Sequence, residues 1–281
     1  MKYVLVTGIS SGIGYAITQR LTQQGFFVFG SVRRKADGEK LRQHFGPNFR
    51  ALQFDLRDQE AILRAKKEVE QELGTQALHA LINNAGICLN GPLQYLEMEE
   101  LQKQFDVNLI GTLRVTKAFL ALLGARQAPI EEPGRIINMS SISGLVTTPF
   151  LTPYCASKYA LESLTDGLRL ELLPYGIKVV SIIAGPVETA IWEKAMEDEM
   201  QWDDTIYEPL FRHRDGLIKR YLSMAVSADK VGRLVHKVIQ KKRPRSRYYI
   251  NSMPWVVKLN QMLPDRLIDK FYQKGYRYLM K

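Results

Sequence analysis

The chain has 281 residues, 46% of them hydrophobic and 24% charged, with a formal net charge of +10. That composition fits one α/β domain and excludes a disordered or collagen-like polymer. Two cysteines, Cys88 and Cys155, are too few for a disulfide scaffold, and no apolar run approaches the ~18 residues of a spanning helix.

The first run, Tyr3–Thr7, reads as a short apolar strand, with no basic, cleavable leader ahead of it. It runs into Gly8, Gly12 and Gly14 of TGISSGIG (7–14), followed by a helical pattern near 12–24. Strand, glycine-rich turn and helix form the context in which such glycines hold a dinucleotide. They permit the tight turn and the approach of backbone N–H groups to a pyrophosphate. The spacing is T-G-x-x-x-G-x-G rather than the commoner G-x-G-x-x-G. Further strands are predicted at Phe26–Gly30, Phe49–Phe54, Leu78–Ile82, Arg135–Met139, Lys178–Ile183 and Arg247–Asn251. Helices are predicted near 37–45, 58–73, 99–123, 153–173 and 228–241, with a surface loop over 126–133.

This alternation predicts a Rossmann-type, doubly wound, mainly parallel seven-stranded sheet with helices on both faces. Its ligand crevice should lie at the strand C-termini. A single dinucleotide-binding oxidoreductase domain over 1–281 is expected, with a substrate lid at about 188–225 and a basic amphipathic tail at about 253–281.

The sharpest chemical signal is YCASK (154–158). Tyr154 and Lys158 sit four residues apart, on one face of a helix. A phenol with a pKa near ~10 shuttles protons poorly at neutral pH, and an adjacent ammonium should lower that pKa. Ser141, in NMSSISG (138–144), could hydrogen-bond the same substrate oxygen, and its spacing from Tyr154 favours it over Ser140. Alone, the Tyr–Lys pair would read as an amphipathic helix with a packed ring and a solvated amine.

TGISSGIG (7–14), NNAG (83–86), Asn108, Ser141, YCASK (154–158) and AGPVET (184–189) occur together and in this order. In them the chain resembles the short-chain dehydrogenase/reductase family, in its compact single-domain branch. The motif style is closest to hydroxysteroid and retinol dehydrogenases. The resemblance implies hydride transfer between a nicotinamide and a carbonyl or carbinol carbon. Tyr154 would exchange the proton, Lys158 would tune it and bind ribose hydroxyls, and Ser141 would orient the substrate oxygen. Asn108 matches a helix-interior asparagine that holds a water leading from the lysine.

The same resemblance assigns the cofactor contacts. Gly8, Ser10, Ser11, Gly12 and Ile13 would form the phosphate turn, Asp55 and Leu56 the adenine edge, and Asn84, Ala85 and Gly86 the turn over the ribose. Gly185, Pro186, Val187 and Thr189 would lie near the carboxamide, with Tyr154 and Lys158 also in contact. Asp55 could instead cap the following helix, and Asn83 reads as a structural tie. The second strand ends without a carboxylate, in FVFGSVRRKADGEK, so Arg33 and Arg34 are candidates for a 2′-phosphate, with Ser10, Ser11 and Ser31 able to add hydroxyl contacts. NADP(H) is therefore the expected cofactor.

The lid segment carries Trp192, Met196, Met200, Trp202, Tyr207, Leu210 and Phe211, and Thr147, Thr148, Phe150 and Leu151 would face it. An apolar lid suits a steroid-, retinoid- or lipid-like carbonyl or alcohol. No metal is expected, since the four histidines lie outside the motifs. A non-catalytic dinucleotide sensor on the same fold is the alternative, although such proteins commonly lose the tyrosine or lysine. The expected partners are a hydrophobic small molecule and a second copy in a dimer or tetramer, with no nucleic acid. The expected location is cytoplasmic, with peripheral contact at a membrane surface.

That last expectation rests on charge. From residue 209 onward, 18 Lys and Arg stand against four Asp and no Glu, while the first 208 residues carry 21 basic and 25 acidic groups. Val256, Leu259, Leu263, Leu267, Phe271 and Tyr272 recur at helical spacing among Lys258, Arg266, Lys270, Lys274 and Arg277. A tail docked on the domain or on a neighbouring subunit is the other reading, and both stand at this point.

Overall fold

The computed structural model describes residues 1–126, 131–189, 205–251 and 254–280. Seven strands form one sheet: β1 (Tyr3–Val6), β2 (Phe27–Val32), β3 (Phe49–Gln53), β4 (Leu78–Asn83), β5 (Arg135–Ser141), β6 (Lys178–Ala184) and β7 (Arg247–Ile250). Their spatial order is β3-β2-β1-β4-β5-β6-β7, and every pairing is parallel. The chain builds outward through β2 and β3, then returns to the other side of β1, so the order reverses between β1 and β4. That reversal opens a crevice at the strand C-termini.

Period-two alternation divides the core. On β1, Val4 and Val6 enter one apolar cluster with Ile17, Leu21, Val231 and Val235, whereas Tyr3 and Leu5 enter the opposite cluster with Ile62, Val69, Val115 and Phe119. The first face is covered by α1 (Gly12–Gln23), α2 (Lys35–Phe45) and the helix Ala228–Gln240. The second is covered by α3 (Gln59–Leu73), α5 (Thr112–Leu123) and α6 (Thr152–Glu171). A parallel sheet buried on both faces explains why these strands read as continuous apolar runs.

Several element ends shift by one or two residues, and three differences from expectation bear on the site. The β2 strand runs two residues further than predicted, which places Ser31 inside it. The long helix expected over 99–123 is divided into α4 (Met98–Phe105), a π-helical segment Asp106–Gly111, and α5. Asp55 does not cap α3: that role falls to Asp58, whose Oδ1 accepts from the Ala61 N–H at 2.9 Å. Asp58→Ala should therefore cost about 1 kcal/mol, read as a melting temperature lower by ~2–4 °C. An unchanged melting temperature would show that the cap contributes nothing.

Arg247, the last residue of the basic run 241–247, is structural. Its Nε donates to Glu162 Oε2 at 2.9 Å and its Nη2 to Asp166 Oδ2 at 2.5 Å, tying β7 to α6. Ser181 donates to the other Glu162 oxygen. Burial of Glu162 is offset by these charge-assisted partners.

Candidate active site

The first βα turn is shaped by close packing. Gly8 has φ +69° and Gly12 φ +59°, the left-handed region that favours glycine. A Cβ on Gly8 would lie 2.8 Å from the Ala85 Cα, and one on Gly14 would lie 2.2 Å from the Gly8 carbonyl oxygen. The Gly8 N–H donates to Ser31 Oγ at 2.9 Å. Ser11, at the N-cap of α1, makes no side-chain bond to the first turn, so that turn's amides are left for an anion. Ser10 and Ser11 are exposed beside them, and Ile13 packs on the core.

The NNAG turn (83–86) sits against this loop. Thr7 Oγ1 accepts from the Asn84 N–H at 2.9 Å and the Ala85 N–H at 3.0 Å, while Asn84 Nδ2 donates to the carbonyls of Thr7 and Gly8. Asn83 faces the other way, as expected of a tie: Nδ2 donates to Thr116 Oγ1 and to Asn138 Oδ1. Thr7 is the residue that motif reading underweighted. Its hydroxyl holds two strand ends at the switch point, a contact 77 residues apart in sequence.

Asn108 lies in the π segment, which turns its side chain out of the helix ladder. Its Oδ1 accepts from the Ile87 N–H at 2.8 Å, and its Nδ2 donates to the Ile87 carbonyl at 2.9 Å and Ser157 Oγ at 3.0 Å. Ser157 in turn donates to the Tyr154 carbonyl at 2.8 Å. Asn108 thus ties the end of β4 to the first turns of α6. A Cβ on Gly86 would lie 3.2 Å from Asn108 Oδ1 and 3.9 Å from Lys158 Nζ, so this glycine keeps the floor between them open.

Ser141 ends β5, and its Oγ accepts from the Ser143 N–H at 3.1 Å while also hydrogen-bonding Tyr154. Ser140 points into the interior, and its hydroxyl has no partner among the described residues. The geometry therefore separates the two serines. On α6, Lys158 Nζ lies 5.7 Å from the centre of the Tyr154 ring and donates to the Met139 carbonyl at 2.9 Å. The expectation that this ammonium lowers the phenol is not met in the protein as described. Burial dominates both groups, pushing Tyr154 well above its ordinary value and Lys158 down to about 8. The Ser141 hydrogen bond pulls the phenol the other way, with less effect.

At the end of β2 the two arginines are not equivalent. Arg34 grips Asp37 with two bonds, Nε to Oδ2 at 2.9 Å and Nη2 to Oδ1 at 3.1 Å. Arg33 is exposed and makes no salt bridge among the described residues, while its charge reaches the Asp55 carboxylate. Asp55 is held by Arg57 through Nε and Nη2, both at 3.0 Å, which keeps its carboxyl below the usual range. Leu56 is buried against Gly111.

Gly185 donates to the Ile250 carbonyl at 2.9 Å, and Pro186 accepts from the Val226 N–H at 3.1 Å. Val187 forms a single bridge with Val226, and Thr189 lies over the phosphate turn, its Cγ2 3.2 Å from where a Gly12 Cβ would be. Of the lid, Trp192, Met196, Met200 and Trp202 lie outside the described residues. The helices Glu208–Arg212 and Arg214–Leu222 follow. Tyr207 and Phe211 pack on Phe150, with ring centroids at 5.4 and 5.3 Å. Thr147 and Thr148 are exposed, and Leu151 is half-buried. Phe150 itself has φ +66°.

Two groups near Tyr154 carried no sequence signal. Tyr221 and Cys88 both influence the Tyr154 phenol, and burial pushes each of them up to about 12. Tyr221 comes from a helix 67 residues downstream, so only the closed structure brings it in. Cys88 and Cys155 are both free thiols. No cluster of metal-ligating side chains occurs among the described residues.

Comparison with known proteins agrees with this geometry. The family model described as short chain dehydrogenase matches residues 2–200. The chain is 36% identical over 280 residues to an NADPH-dependent 3-dehydrocapnine reductase of Ornithobacterium rhinotracheale, covering 99% of each protein. It is 34% identical over 294 residues to mouse estradiol 17-beta-dehydrogenase 2, covering 98% of this chain and 75% of that one. A solved actinorhodin polyketide ketoreductase with NADPH superposes with a TM-score of 0.74 at 27% identity, covering 89% of this chain and 95% of that one. With the glycine turn, the NNAG turn and the Ser–Tyr–Lys constellation in place, the chain belongs to the short-chain dehydrogenase family.

Proposed function

We propose that this protein is an NADP(H)-dependent oxidoreductase that interconverts a carbonyl and an alcohol on a hydrophobic substrate. The observation that carries the reading is the meeting of Ser141, Tyr154 and Lys158 beside the open floor at Gly86, at the C-terminal ends of β4 and β5. When bound, the dinucleotide supplies or accepts the hydride. Tyr154, kept protonated by burial, gives its proton to the developing alkoxide in reduction and takes one back in oxidation. Ser141 orients the substrate oxygen against that phenol. Lys158 places positive charge beneath the pair and reaches for ribose hydroxyls over Gly86. Asn108 acts as a positioning residue, holding the Ile87 backbone and α6 at a fixed separation.

The cofactor contacts fit the space that the glycines keep clear. The α1 amides with Gly8, Ser10, Ser11, Gly12 and Ile13 take the pyrophosphate, Arg33 the 2′-phosphate, and Asp55 and Leu56 the adenine edge. Asn84, Ala85 and Gly86 take the ribose, and Gly185 to Thr189 the carboxamide. Two similar proteins are named with NADPH, which supports the same choice here. Aromatic packing of Tyr207 and Phe211 on Phe150 supports an apolar substrate.

A panel of ketones and aldehydes, run with NADPH and with NADH, tests the assignment. Consumption of NADPH, faster on apolar than on sugar-like carbonyls, is expected. Dinucleotide binding without turnover on any carbonyl would favour the sensor reading.

A further inference from the structure

The tail forms two helices, Pro254–Met262 and Asp265–Leu279, with Pro264 at the N-cap of the second. Neither is long and apolar enough to cross a membrane. The tail presents one side to the domain and another to solvent. The inner side holds on to the domain. Val257 is buried, Gln261 Nε2 donates to the Leu145 carbonyl at 3.1 Å just beyond the Ser141 turn, and the second helix packs on Glu208–Arg212. Tyr272 and Tyr276 are half-buried, and burial raises both phenols. The half-buried positions Ile268, Tyr272, Tyr276 and Leu279 recur at three- and four-residue steps, one continuous face.

The outer side is a second apolar stripe. Leu267, Phe271 and Tyr278 follow the same helical spacing on the exposed surface, Phe271 at 74% and Tyr278 at 81% accessible. On the preceding helix Trp255 and Met262 are exposed as well, at 67% and 82%. An apolar strip of this kind on a soluble surface calls for a covering partner. Its flank identifies which. At 100° per residue, Lys274, Lys270, Arg277 and Arg266 fall along one edge of the outer stripe, whereas Asp265 and Asp269 fall on the far side. All four cations are exposed and form no salt bridge among the described residues.

We propose that this outer face is a docking surface for an anionic lipid bilayer, on which the second helix lies in the plane of the headgroups. Apolar side chains enter the acyl boundary while the adjoining Lys and Arg meet lipid phosphates, the arrangement that an interfacial helix requires. A second copy of the chain fits less well, because an antiparallel two-fold contact through this stripe would bring the basic edge against itself. Since the same helix packs on Glu208–Arg212, whose Phe211 meets Phe150, docking brings that side of the molecule near the lipid surface. This placement gives a route for the hydrophobic substrate argued above. The docking surface itself does not depend on that reading.

Vesicle sedimentation of the full chain tests it, with phosphatidylcholine alone and with phosphatidylcholine plus 30 mol% phosphatidylserine, at low and high salt. The protein should pellet with the anionic vesicles at low salt and remain in solution otherwise. Lys270→Gln should weaken the partition about fivefold, the contribution of one cation near such a surface. Phe271→Ser should reduce it further at constant charge. Both should keep NADPH turnover on a small soluble ketone, so a failed docking surface and a failed enzyme assignment give different results. Equal, negligible pelleting with both vesicles would overturn the proposal. So would anionic pelleting that Phe271→Ser leaves unchanged, which would make it a general effect of the +10 charge. A third contrary result would be loss of an oligomer in Phe271→Ser, by sedimentation velocity, with no vesicle binding by the parent protein. That would assign the face to a second copy.

Discussion

Replacing Tyr154 with phenylalanine is expected to lower reductive turnover by about 10²-fold or more and to leave NADPH affinity nearly unchanged. The substitution removes one oxygen and keeps the ring, so the packing of α6 against the Ser141 turn persists. The lost group is the one hydroxyl that Ser141 bonds and that burial holds in its protonated, donating form. Lys158 keeps its bond to the Met139 carbonyl and its place beside Gly86, which is why binding should survive. Steady-state kinetics with a fluorescence titration of NADPH separate the two quantities. Near-parental turnover in Tyr154→Phe would move proton transfer to another group, with Tyr221 the first to examine.

Arg33→Ala should weaken NADPH binding about tenfold or more and leave NADH almost unaffected. A guanidinium on a phosphate is a charge-assisted contact of roughly 1.5–3 kcal/mol, and NADH lacks the group it reads. The two arginines at this turn should behave differently. Arg34 already grips Asp37 with two bonds, so Arg34→Ala should cost less than Arg33→Ala. Comparing cofactor affinities for both variants decides the point. Equal losses for NADPH and NADH in Arg33→Ala would show that this side chain does not read the 2′-phosphate.

The order of the elements was legible because both signals behind it are local. Period-two and helical apolar patterns are written in consecutive residues, and right-handed crossovers leave few ways to arrange seven parallel strands. Gly8, Gly12, Tyr154 and Lys158 were equally plain, since their meaning lies in short spacing along one turn or one helix face. Helix interruptions were not. The π segment at Asp106–Gly111 depends on Asn108 finding the Ile87 backbone and Ser157, partners that no window of sequence contains.

Charge and burial show the same divide. That the tail is basic and amphipathic follows from its own residues. That it carries two apolar stripes, one packed on Glu208–Arg212 and one exposed beside the cations, required the folded domain to say which positions were covered. From the sequence, the Lys158 ammonium was expected to lower the Tyr154 phenol. Packing buried both, and because desolvation penalises each charged form, it pushes the phenol up and the amine down to about 8. Local spacing names the groups that can meet, but their protonation depends on how much water the rest of the chain excludes, and only the closed fold sets that.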